Sequence, residues 1–155
     1  MPTASATTVV RASAEKVFDF VADYRNIPRL QPQFASAKVV TEEERGLGAV
    51  VELAGRFRGM PMRVKNRIIT FTPPNRLASI SEGTVLSRNI WEFEPVEGES
   101  GTPSTRATLT IDYKVAGPFG KLFTGVASTL FHKEIQEMTD ESLRRLAELS
   151  GEMQG

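Results

Sequence analysis

The stretch Met62–Pro95, MRVKNRIITFTPPNRLASISEGTVLSRNIWEFEP, decides the fold. Apolar and polar residues alternate along much of it with period two, the spacing of a strand that covers one face and exposes the other. It is broken at Pro73-Pro74-Asn75 and at Glu82-Gly83. Both breaks have turn chemistry, and both are too short to hold a crossover helix. Strands joined this tightly are antiparallel. Working outward, the same reading extends from Phe34 to Val115 and predicts six strands, at about 34–43, 47–58, 61–72, 76–82, 86–95 and 105–115. Arg45-Gly46, Arg58-Gly59 and the run from Glu97 to Ser104 supply the other turns. Ile69 and Phe71 fall out of phase, which predicts a bulge or an outer packing contact.

Upstream, Val9 and Val10 sit in a further strand over about 3–12. Ser13 reads as a helix N-cap, and Glu15 favours the positive end of the helix dipole. Val17, Phe18, Val21 and Ala22 recur at helical spacing over Ala14–Asp23, and Tyr24–Leu30 is a second short helical piece. Downstream, Gly117-Pro118 closes the strand region. A long helix is expected from about Phe119 to Leu149, with Phe119, Leu122, Phe123, Val126 and Leu130 and then Ile135, Met138, Leu146 and Leu149 inward. The apolar stripe drifts near Thr129–Lys133, which predicts a bend or a change of partner. The apolar face of a seven-stranded sheet needs a cover, and this helix is the element long enough to give it. The expected fold is therefore α+β: a curved antiparallel sheet gripping the C-terminal helix, with two short helices after the first strand. One domain spans 1–150, and 151–155 is expected to fray.

Composition narrows the chemistry. The 155 residues carry nineteen Lys and Arg against nineteen Asp and Glu. With no net charge there is no global field to hold nucleic acid, so no DNA partner is expected. There is no Cys and a single His, His132. Disulfides, thiolate metal sites, a Cys nucleophile and a multi-His metal site are excluded. No metal or cofactor is expected. No apolar run is long enough to span a membrane, and the N-terminus lacks signal-peptide character, so the expected location is cytoplasmic.

Strand phase assigns the inward set. Val51, Leu53 and Phe57 share a face, as do Met62, Val64, Asn66 and Ile68. Trp91 and Phe93 go with Asn89, and Leu109, Ile111, Tyr113 and Val115 share a face on the last strand. From the helix, Phe119, Phe123 and Ala127 are expected to meet them. A curved sheet and one straight helix cannot touch everywhere, so a ligand-sized cavity or a filling of aromatic rings lies between them. Trp91 is a platform for a ligand ring or a core residue. Tyr113 is a donor to a ligand carbonyl or a core phenol. Asn66 stands alone among apolar neighbours and must find a hydrogen-bond partner in protein, water or ligand. His132 has the side chain suited to a general base, but helical angle sends it toward the solvated flank. No catalytic residue is assigned. Glu52 and Arg56 are expected on the convex face. The hairpin Arg56–Arg67 is rich in basic residues, with apolar Met60, Pro61 and Met62 at its tip. It is a solvated outer face, a patch for RNA or phosphate, or part of a cavity mouth flanked by Gly117, Pro118 and Gly120.

The segment VVRASAEKVFDFVADYRNIPRLQPQFASAKVV (Val9–Val40) resembles the opening of the START-like superfamily, and within it the polyketide cyclase/dehydrase and lipid-transport proteins. ITFTPPNRLASI (Ile69–Ile80), IWEFEPVEGESGTPSTRATLTIDYKVAGPFGKLF (Ile90–Phe123) and the closing TDESLRRLAELS fit the same pattern. The resemblance implies a helix-grip fold with a cavity between sheet and last helix. It implies binding of a hydrophobic small molecule, such as a lipid, isoprenoid or polyketide-like compound, by a carrier or sensor. Two alternatives come with it: a cyclase or dehydratase, and an RNA- or ribosome-associated protein using the hairpin. Cyclases of this kind are credited with cavity Arg, Tyr and Trp residues. Trp91 and Tyr113 could play such parts, whereas no strand Arg is in the inward phase.

Overall fold

The computed structural model describes residues 2–57, 59–83, 85–98, 101–115 and 126–154. Seven strands form one antiparallel sheet: β1 (Thr3–Val10), β2 (Phe34–Val39), β3 (Val50–Phe57), β4 (Met60–Thr72), β5 (Arg76–Glu82), β6 (Val85–Val96) and β7 (Ser104–Val115). Their order across the sheet is β1-β7-β6-β5-β4-β3-β2. The first two strands are thus the two edges. The helices α1 (Ala14–Ala22) and α2 (Ile27–Leu30), with a 3₁₀ turn at Tyr24–Asn26 between them, connect those edges. Ser13 caps α1 by accepting from the Lys16 amide, as its position before the apolar run predicts. Asp23 caps the next turn through the Arg25 amide. The Arg25 guanidinium bonded to the same carboxylate holds Asp23 below the usual carboxylate range.

The long helix α3 is described over Val126–Glu148. Positions 119–125 of the expected helix, with Phe119 and Phe123, lie outside the described residues. The α3 helix packs mainly on β1, with further contact to β7 and α2. It grips one side of the sheet and leaves the other uncovered, so the apolar interior divides in two. One cluster joins α1, α3 and strands β5–β7 around Phe18, Leu77, Phe93, Leu109 and Leu146. The other joins β3 and β4 to the α2 region around Val51, Leu53 and Val64. The site lies between them.

Several expectations are corrected. Val126 and Leu130, assigned inward, are 76% and 53% exposed. The inward face of α3 instead carries Phe131, Thr139, Ser142, Leu143 and Leu146. Thr139 and Ser142 tolerate burial because each hydroxyl donates to the carbonyl four residues earlier, on Ile135 and Met138. The helix does change partner, but beyond Thr129–Lys133: Phe131, Ile135 and Met138 face the cavity, and Leu143 and Leu146 face the core. The tail does not fray through Gln154. Leu149–Glu152 forms a 3₁₀ turn, Met153 enters the core, Glu152 pairs with Arg29 and Gln154 bonds the Arg11 carbonyl. The phase break on β4 is a register shift between Ile68 and Thr70, and it turns Phe71 inward against Phe18.

Candidate functional site

A cavity of about 570 Å³ occupies the space between the two clusters. Its volume lies in the range of small-molecule pockets. Strands β3 and β4 contribute Leu53, Phe57, Met62 and Val64, and the α2 region contributes Tyr24, Ile27 and Leu30. Trp91, Leu77, Phe71 and Ile111 line it from the side of the main core. The Trp91 indole is stacked on Phe93, with ring centroids 6.0 Å apart and planes 9° apart. Phe131 closes the helix side, edge-on to both Phe57 and Tyr113.

A polar row crosses this apolar wall. Strand register sets Asn66 opposite Ser81, Ser81 opposite Ser87, and Ser87 opposite Tyr113. Ser79 and Asn89 face each other one step along the same strands. Asn89 Nδ2 donates to the hydroxyls of Ser81 and Ser87, at 3.1 and 3.3 Å. The Ser81 hydroxyl in turn donates to Asn66 Oδ1 at 3.0 Å. At the far end the Tyr113 hydroxyl lies 2.6 Å from His132 Nδ1, and the two rings stack at 26°. Burial pushes the Tyr113 phenol above its ordinary value, so its proton is held at neutral pH.

The rim is charged. Arg45, from the loop between β2 and β3, lines the cavity, pairs with Asp19 and lies over the Phe71 ring at 5.5 Å. Arg63 lines the mouth and pairs with Glu52 at 3.5 Å. Met60 and Pro61 sit there too, so the apolar hairpin tip is part of the cavity wall. On the convex side Lys65 lies opposite Glu82 in the register, which tempers the basic character read from the hairpin.

Of the residues expected at the cavity, the structure brings together Leu53, Phe57, Met62, Val64, Asn66, Trp91, Ile111 and Tyr113. Phe93 and Leu109 are corrected to the core: both are buried in the α1–α3 cluster and neither reaches the cavity. Ala127 is corrected to an exposed position on α3. His132 is corrected from the solvated flank to the half-buried partner of Tyr113. Sequence reasoning missed the serines, although Ser79 and Ser81 share parity with the inward Leu77, and Ser87 shares it with Asn89 and Trp91. It also missed Arg45, because strand phase is silent about loops.

The architecture is that of the helix-grip proteins of the START-like superfamily. The chain belongs to the family described as polyketide cyclase/dehydrase and lipid transport, whose model matches residues 1–150. No curated protein matches the sequence. Among solved structures, TTHA0849 from Thermus thermophilus is 25% identical with a TM-score of 0.79, over 99% of this chain and 100% of that one. The Zhui aromatase/cyclase from Streptomyces sp. R1128 has a TM-score of 0.77 at 16% identity, over 97% of this chain and 93% of that one. A START superfamily protein from Mycobacterium smegmatis has a TM-score of 0.69 at 18% identity, over 97% and 96% of the two chains. The family's fold fits hydrophobic-ligand binding or a cyclase role. No helix among the described residues is long and apolar enough to cross a membrane.

Proposed function

We propose that the protein binds a hydrophobic small molecule in the cavity between sheet and α3, as a carrier or sensor. One observation carries this reading: a single space of about 570 Å³ with a largely apolar wall, set between two separately packed clusters. Burying apolar ligand surface there contributes roughly 25 cal/mol per Å². The polar row adds orientation at small cost, because most of its groups already bond one another. These bonds run among neutral amides and hydroxyls, groups suited to holding a ligand in place.

The chain has one tryptophan, and it lines the cavity. Titration with the apolar dye N-phenyl-1-naphthylamine is therefore expected to quench Trp91 saturably. Native mass spectrometry of freshly purified protein is expected to show a co-purifying lipid-like mass that organic extraction removes. Absence of saturable quenching together with absence of any bound mass would defeat the reading.

A further inference from the structure

We propose that the polar row is a recognition subsite for an uncharged oxygen function of the ligand, a ketone, phenol or alcohol, with the Asn66 amide as its principal donor. The proposal rests on the reading of the cavity as a ligand site and names the chemistry that site selects.

The hydrogen-bond directions carry the argument. Both N–H groups of Asn89 are spent on Ser81 and Ser87. Ser81 receives one of them, so its single proton goes to Asn66, and that fixes the Asn66 oxygen toward Ser81. The Asn66 Nδ2 group, with two donors, then has no protein partner among the described residues. Nor is it sealed into the wall, since no buried side-chain nitrogen or oxygen is without a partner among those residues. It faces the cavity. An amide donor turned into an apolar space fits a ligand oxygen that accepts.

Cooperativity strengthens this donor. The chain Asn89 to Ser81 to Asn66 points every bond the same way, and each link polarises the next. The far end is Tyr113, held by His132. Asn66 and Tyr113 are three strand spacings apart, roughly 14 Å on a flat sheet and less on a curved one. A ligand with oxygens at both ends of a fused ring system or short chain would engage both. The Asn66 end of the row is built of uncharged amides and hydroxyls, and Arg45 and Arg63 at the rim already face Asp19 and Glu52. A carboxylate seated on the row would lose its hydration without gaining a cation beside it, whereas a neutral oxygen loses little.

Three pyrenes that share one ring system test this, with quenching of Trp91 as the readout: 1-acetylpyrene, 1-methylpyrene and 1-pyrenecarboxylate. The ketone is expected to bind at least about tenfold more tightly than the carboxylate at pH 8. Asn66→Leu removes the donor at similar volume. It is expected to weaken the ketone relative to the methyl compound by roughly tenfold, leaving the methyl compound unchanged. Asn66→Asp keeps the oxygen facing Ser81 and replaces the free amide by an acceptor. It supplies the same comparison if the leucine variant does not fold. Carboxylate binding as tight as ketone binding, or a ketone-to-methyl ratio that neither variant moves, overturns the subsite while leaving the ligand cavity standing. Failure of all three pyrenes to quench Trp91 removes the cavity reading and the subsite with it.

Discussion

Single positions decide how closely the walls of this cavity approach one another, and Gly55 shows it best. It lies on β3 beside the register irregularity of β2 between Phe34 and Ser36. The Gln33 carbonyl bends in there to accept from the Arg56 amide at 3.0 Å. A Cβ built on Gly55 would stand 1.8 Å from that carbonyl oxygen. The residue is glycine because backbone crosses its face, which is the usual meaning of glycine inside a strand. Gly55→Ala is therefore expected to cost roughly 3 kcal/mol or more, by forcing β2 away from β3. Gly59, at a φ of +78° with open space around its Cβ position, is expected to lose only about 1 kcal/mol on the same change. Urea midpoints of the two variants check the contrast, and a Gly55→Ala loss no larger than that of Gly59→Ala would contradict the close approach. Asn66 was legible as a residue in need of a partner, since it is polar on an otherwise apolar strand face. Gly55 was not, because its constraint comes from a carbonyl more than twenty positions away in the chain.

Strands and helices differed in how far they could be read. A strand has two faces, so a correct phase at one residue is correct at its neighbours until a bulge intervenes. On β3, β4 and β6 strand phase identifies the inward residues over most of the length for that reason, and the bulge near Ile69 shows in the sequence as a break in the pattern. A helix has no such binary choice. Projecting an apolar stripe along α3 placed Leu130 inward by its hydrophobicity, when the neighbouring Phe131 is the residue that faces the sheet. Thr139 and Ser142 fall outside any apolar stripe, yet both are buried, because their hydroxyls are satisfied within the helix. These placements give a direct comparison between two leucines of one helix. Leu146 is fully buried in the main cluster, and its truncation to alanine is expected to cost about 2–5 kcal/mol. Leu130→Ala is expected to stay within about 0.5 kcal/mol of the parent. Equal losses in chemical denaturation would mean that the helix is rotated about its axis from the orientation described.

At the scale of the whole molecule, the cavity follows from unequal coverage. α3 is drawn to the β1 edge, the α2 region covers the β2 edge and the neighbouring β3, and neither fills the middle of the concave face. The curled sheet was foreseeable from strand count and helix count. The division of the core was not, since it depends on where α3 settles across seven strands. A void inside a protein leaves its lining without dispersion partners on one side, so filling it stabilises the fold whether the filler is a ligand or a side chain. Ser79 offers the substitution, because it lies on β5 in the cavity wall and is nearly buried. A phenyl ring at that position would project into the space. Ser79→Phe is therefore expected to leave the free protein as stable as the parent, or more so by about 1 kcal/mol. The same change competes with ligand. Saturating dye at one hundred times its Kd adds about 2.7 kcal/mol to the parent, which for a chain of this size raises Tm by roughly 5–10 °C. In Ser79→Phe that rise is expected to fall by more than half. Thermal unfolding of both proteins with and without N-phenyl-1-naphthylamine measures the two effects together. A full ligand-induced rise in the variant would place the dye elsewhere. A ligand-free variant destabilised by more than about 2 kcal/mol would mean that the ring meets packed atoms and that the space is not open.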